Sequence, residues 1–95
     1  MKTAIVSGVG PLDGLGAQLC VRFARLGLHV LVAGRTQAKL DAVVDAIGGA
    51  GGSAQAVIAD ATVETDTERL FEIAGSDLTV AIYNTGNNTP GRIAD

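Results

Sequence analysis

The sequence has few of the features that would assign it to several broad classes. It has one cysteine, Cys20, in 95 residues, so no disulfide can form within the chain, which agrees with a reducing compartment. Cys20 falls beside Leu19 in a helical stretch, and nothing near it supplies the cationic setting that activates a thiol; it reads as a small apolar filler. No basic cluster suited to a nucleic-acid backbone is present, and the net charge is −3. No segment approaches the roughly 18 consecutive apolar residues of a membrane span. Met1-Lys2-Thr3 leads almost directly into an apolar run, leaving no room for a signal peptide, so a cytoplasmic location is expected.

What remains is a globular composition, 47% hydrophobic and 18% charged. The length suits one small domain burying roughly 60 to 65% of the surface that its unfolded chain exposes. The most informative stretch is Ser7-Gly8-Val9-Gly10-Pro11-Leu12-Asp13-Gly14-Leu15-Gly16. Before it, Ala4-Ile5-Val6 reads as a buried strand; after it, Leu15, Leu19, Phe23 and Leu26 recur at helical spacing and predict a helix over about Leu15 to Leu26. Arg22 and Arg25 form its solvated side. A glycine-rich turn between a strand and a helix leaves the helix amides open to an anion, and glycine lets a ligand approach the backbone. In a βαβ setting this predicts dinucleotide binding.

The alternation continues. Gly27 is placed to end the first helix in left-handed geometry, and His29 to Ala33 forms a second buried strand, with His29 itself structural. Thr36 is placed to cap a second helix through its hydroxyl. That helix spans Gln37 to Ile47, burying Leu40, Val43, Val44 and Ile47 while Lys39, Asp41 and Asp45 face away. Gly48 to Ser53 is a helix stop and return turn into a third strand, Ala54 to Ala59, closed by Asp60-Ala61-Thr62. Thr65 and Glu68 have capping-box spacing at the start of a third helix whose buried side is Leu70, Phe71, Ile73 and Ala74. Gly75-Ser76-Asp77 turns into a fourth strand, Leu78 to Tyr83, followed by a polar loop from Asn84 to Gly91.

The order βαβαβαβ predicts an α/β fold, a Rossmann-type parallel sheet with helices on both faces and strands in the order 3-2-1-4. It amounts to the truncated half of a doubly wound fold, with residues 1–95 forming a single incomplete dinucleotide-binding domain. Four loops then converge over the carboxyl ends of the strands: Gly8 to Gly16, and those at Arg35, Asp60 and Asn84. One strand edge stays open and invites self-association.

These residues resemble the N-terminal portion of the short-chain dehydrogenase/reductase family. Ser7-Gly8 with Gly14-Leu15-Gly16 is similar to the family's Thr-Gly-x-x-x-Gly-x-Gly turn, Gly34-Arg35-Thr36 follows strand two, Asp60 ends strand three, and Tyr83-Asn84-Thr85-Gly86 stands where the family has Asn-Asn-Ala-Gly. The resemblance implies a nicotinamide dinucleotide on Ser7, Gly8, Gly10, Gly14, Leu15 and Gly16. It further implies that Asp60 contacts the adenine amine, that Ala61 packs on the ring, and that Asn84 and Gly86 steady strand four beside the ribose. The family's acidic position at the end of strand two holds Gly34, followed by Arg35 and Thr36, so NADP(H) is expected over NAD(H), the guanidinium taking the 2′-phosphate.

The chain departs from the family pattern twice. Five residues separate Gly8 from Gly14 where the family has three. Either Gly10 is the first glycine of the motif, or Leu12-Asp13 is an insertion whose carboxylate opposes a pyrophosphate. The family's acid, a tyrosine in Tyr-x-x-x-Lys, has no counterpart: Tyr83 is the only tyrosine, position 87 is Asn87, and no lysine follows it. The resemblance therefore implies the cofactor-binding part of an oxidoreductase acting on a carbonyl or secondary alcohol, without its catalytic acid. The alternative is a non-catalytic nucleotide-binding or structural module.

Overall fold

The computed structural model describes residues 2–10, 14–60 and 62–83. Four strands and three helices alternate: β1 (Thr3–Ser7), α1 (Leu15–Arg25), β2 (His29–Gly34), α2 (Gln37–Gly49), β3 (Ser53–Ile58), α3 (Glu64–Ala74), a single 3₁₀ turn (Gly75–Asp77) and β4 (Leu78–Tyr83). All strand pairings are parallel and the order is β3-β2-β1-β4. The chain runs outward from β1 to β3, then returns to place β4 on the other side of β1. The winding thus reverses between β1 and β4.

Side chains alternate across the strands, so β1, β2 and β3 each feed two cores, while β4 adds Leu78 and Ala81 to one of them. On one face Val6, Val30 and Val32 pack with Ala17 and Cys20 of α1 and with Leu40, Val43 and Ile47 of α2. On the other, Ile5, Leu31, Ala33 and Val57 pack with Leu70 and Ala74 of α3. Helices therefore cover both faces, and every residue of β1 is buried. Each large aliphatic side chain so enclosed contributes roughly 1.5 to 3 kcal/mol. No described helix is long and apolar enough to cross a membrane.

Helix α1 turns a different side to the sheet from the one its leucines suggest. Leu15 and Leu26 are 69% and 72% exposed, whereas Gly16, Ala17 and Cys20 are buried. The buried face lies about a third of a turn from the leucine stripe, because small side chains let the helix axis approach the strands closely. Helix α3 differs likewise: Leu70 and Ala74 are buried, but Phe71 and Ile73 are exposed. Phe71 meets Tyr83 with ring centroids 6.4 Å apart.

The helix ends follow backbone geometry more than side-chain caps. Gly27 has φ 90°, and the amides of Gly27 and Leu28 bond to the carbonyls of Ala24 and Phe23. Gly51 (φ 87°) and Gly52 repeat this on Gly48 and Ile47. Both are paired C-terminal closures requiring a left-handed residue, and the second carries α2 two residues beyond Ile47. Thr36 does cap α2, but through its carbonyl, which accepts from Lys39 and Leu40; its hydroxyl makes no cap bond. The capping box at Thr65 and Glu68 does not form. Helix α3 starts two residues earlier, with Val63 as N-cap, and an apolar side chain has no oxygen to offer. At the opposite end of the sheet His29 Nδ1 lies 2.6 Å from Ser53 Oγ, a structural tie between β2 and β3.

Candidate functional site

The parallel strands bring their carboxyl ends to one edge, and the loops leaving β1, β2 and β3 meet there. Gly8 turns the chain out of β1 with φ 80°, a conformation that favours glycine. Val9 then folds back onto β2, its amide donating to the Ala33 carbonyl at 2.9 Å and its side chain entering the core. This places the first turn glycine directly after the strand, at Gly8. Gly10 has open space where a side chain would stand. Leu12 and Asp13 lie outside the described residues.

Beyond the turn, Gly14 is the N-cap of α1, in extended conformation and with no side-chain cap; the first turn carries no acid. The amides at that mouth are thus not countered by a carboxylate of their own helix, and the dipole favours an anion in front of it. Leu15 is exposed at this mouth, while Gly16 is buried where α1 meets the sheet. Ser7 ends β1 opposite Tyr83 of β4. Its Oγ is fully buried and has no hydrogen-bond partner among the described residues. An unpartnered buried hydroxyl beside an uncapped helix start suits a polar ligand or a neighbouring loop.

Gly34, at the end of β2, is more than a missing carboxylate. A Cβ there would come within 2.7 Å of the Val9 carbonyl and 3.0 Å of Leu40 Cδ2. The loop after β1 therefore presses on position 34, a contact that no local pattern reveals. Arg35 and Thr36 follow on the surface. Asp60 stands in the next loop, near enough to Arg35 for their charges to interact. Its Oδ1 accepts from the hydroxyl and the amide of Thr62, at 2.7 and 2.9 Å. Those two bonds, followed by the Arg35 charge, hold its carboxyl below the usual carboxylate range.

Ser7, Gly8, Gly10, Gly14, Leu15, Gly16, Arg35, Thr36 and Asp60 all sit on loops or element ends at this edge. Ala61, Asn84 and Gly86 lie outside the described residues. Two residues absent from the sequence reading belong here. Asp66 and Arg69, on the first two turns of α3, tie the Asp60 turn to the helix; their i, i+3 spacing is that of an ion pair but says nothing of its target.

A profile described as short chain dehydrogenase matches residues 2–94. The chain belongs to the short-chain dehydrogenase/reductase family. It is similar to an uncharacterised oxidoreductase of Mycobacterium tuberculosis, 36% identical over 97% of this chain and 35% of that protein. It is also similar to a short chain dehydrogenase of Passalora fulva, 36% identical over 99% of this chain and 36% of that one. Among solved structures, a short-chain dehydrogenase from Rhodopseudomonas palustris superposes with a TM-score of 0.83 at 34% identity, over 92% of this chain and 41% of the other. A hydroxysteroid dehydrogenase from Escherichia coli gives 0.79 at 29%, over 97% and 40%. The chain thus spans about a third of the length of the curated relatives it matches.

Membership in this family implies a nicotinamide dinucleotide as cofactor. The residues present fit such a group: an uncapped helix start with no acid in its first turn, a left-handed Gly8, open space at Gly10 and an orphaned Ser7 hydroxyl.

Proposed function

We propose that this chain is the cofactor-binding N-terminal portion of an NADP(H)-dependent short-chain oxidoreductase, which in its complete form moves hydride between nicotinamide and a carbonyl or secondary alcohol. The observation that carries the proposal is the convergence at one sheet edge of the open α1 mouth, the Gly34–Val9 contact and Arg35. The backbone amides from Gly14 onward hold the diphosphate. Arg35 takes the 2′-phosphate, and Gly34 leaves no carboxylate to repel it. Asp60 accepts from the adenine amine, and Ala61, Asn84 and Gly86 complete the base and ribose contacts. The bound nicotinamide supplies or accepts the hydride; this chain's residues bind and orient it.

Calorimetric titration with NADPH and NADH tests this. NADPH binds more tightly, and Arg35→Ala weakens it by roughly 10- to 150-fold, the equivalent of one charge-assisted contact of about 1.5 to 3 kcal/mol, while NADH changes little. Equal affinity for both nucleotides overturns the NADP preference. Failure to bind either favours the alternative of a structural module. Removing Leu12 and Asp13 restores the family spacing and removes a carboxylate from the turn, so affinity rises; an unchanged value refutes the insertion account.

A further inference from the structure

The turn that carries Asp60 is gripped from α3 by two charged side chains, those of Asp66 and Arg69. Asp66 occupies the third position of α3, from which an acid ordinarily reaches back to the amide of its own N-cap. Here it reaches further. Asp66 Oδ2 accepts the Asp60 amide at 2.9 Å, and Oδ1 lies 3.6 Å from Arg69 Nη1. Arg69 Nη2 donates to the Ile58 carbonyl. The pair therefore brackets Ile58 to Asp60, the point where the chain leaves the sheet.

The sheet itself gives Asp60 no support. The last ladder-like bond beside it is from the Ala59 amide to the Gly34 carbonyl, at 2.8 Å. Past that point, among the described residues, the Asp60 main chain is held by Asp66 and by the Val63 amide, which donates to the Asp60 carbonyl at 2.9 Å. A charged acceptor makes the Asp66 bond stronger than a neutral one would be. Thr62 occupies Oδ1 of Asp60, so Oδ2 is the oxygen without a partner among the described residues. Thr62 ties the carboxylate to its own turn and Asp66 ties that turn to α3, so the placement of Oδ2 depends on both.

We infer that Asp66 and Arg69 are positioning residues that aim the free carboxylate oxygen of Asp60 at the exocyclic amine of the cofactor's purine. The inference rests on the proposed role of Asp60 as the base contact and adds a control acting from α3. A misdirected acceptor loses selectivity between bases before it loses the diphosphate contacts, because those are made by a different element.

The test compares NADPH with its hypoxanthine analogue, in which a carbonyl replaces the amine. The unmodified chain prefers NADPH by about tenfold or more, as expected for one hydrogen bond to a charged group. Asp66→Ala brings the ratio close to one, whereas Asp66→Asn, which keeps an acceptor oxygen in place, retains most of it. Arg69→Gln lowers the ratio by an intermediate factor and covers the case in which Asp66→Ala does not fold. General structural damage weakens both nucleotides alike and leaves the ratio unchanged, so a wild-type ratio in Asp66→Ala and Arg69→Gln overturns the inference. Asp60→Ala separates the two levels. If it abolishes the preference while the α3 variants keep it, only the positioning role fails. If the unmodified chain shows no preference, the role of Asp60 fails and the positioning role with it.

Discussion

Gly34 and Cys20 are both small residues in tight surroundings, and each one's neighbours determine what a substitution there does. Restoring a carboxylate at position 34 is the obvious way to seek NADH preference, but its Cβ would sit 2.7 Å from a main-chain oxygen of Val9. Main chain yields less readily than a side-chain tip, so Gly34→Asp displaces the Gly8–Val9 turn, costing about 1 to 3 kcal/mol in urea unfolding and weakening both nucleotides instead of exchanging them. A clean switch to NADH without loss of stability would contradict this. Cys20 is fully enclosed, and burial pushes its thiol up from 9.0 to about 12. A disulfide reagent at pH 8 therefore reacts only as fast as the chain opens, and its rate rises with urea. Because the unfolded thiol ionises first, stability contributed by the neutral form is complete below about pH 9 and falls as pH rises towards 12; Cys20→Ala removes that part of the alkaline decline.

Among the elements, those set by a buried run or a positive-φ glycine were legible in the sequence, and those set by side-chain choice at a helix end were not. His29–Val30–Leu31–Val32 has nowhere to go but a covered strand, and Gly27 closes α1 because the chain must turn left-handed there. The same reasoning makes Gly51→Ala cost about 1 to 2 kcal/mol although its Cβ would meet nothing, since the strain is in φ alone. The orientation of α1 was hidden because periodicity reports a stripe of large residues, whereas this sheet selects the small ones, Gly16, Ala17 and Cys20. The start of α3 was hidden because Thr65 and Glu68 match the capping pattern while Asp66 is spent on a residue outside the helix. Thr65→Ala and Glu68→Ala therefore each change stability by less than about 0.5 kcal/mol; a loss near 1 kcal/mol from Thr65→Ala would show that the box forms. In the site, the glycine turn and Arg35 were legible as local patterns. The Val9 contact on Gly34 joins residues from different loops, and no spacing records it.

For the molecule as a whole, the alternation of elements gives a parallel sheet, and a Rossmann-type winding of that sheet places β4 next to β1, as observed. That position also makes β4 an outer strand, and it is less well covered than a parallel strand usually is. Its residues are half-buried or exposed, Tyr83 is 40% exposed, and the exposed ring of Phe71 of α3, 6.4 Å from that of Tyr83, adds to an apolar margin there. No described strand pairs with its outer edge. Parallel sheets of this kind are normally covered on both faces, and an uncovered apolar edge is a template for pairing. The 95-residue chain is therefore expected to self-associate, with a sedimentation coefficient that rises with protein concentration. Thr79 is exposed on β4, so Thr79→Lys places like charges against one another wherever two such edges meet and lowers the association by about tenfold, with nucleotide binding at the opposite end of the strands' neighbours left unchanged. A chain that sediments as a monomer at all concentrations, or a Thr79→Lys variant that associates as strongly as the unmodified chain, would rule out this edge as the contact.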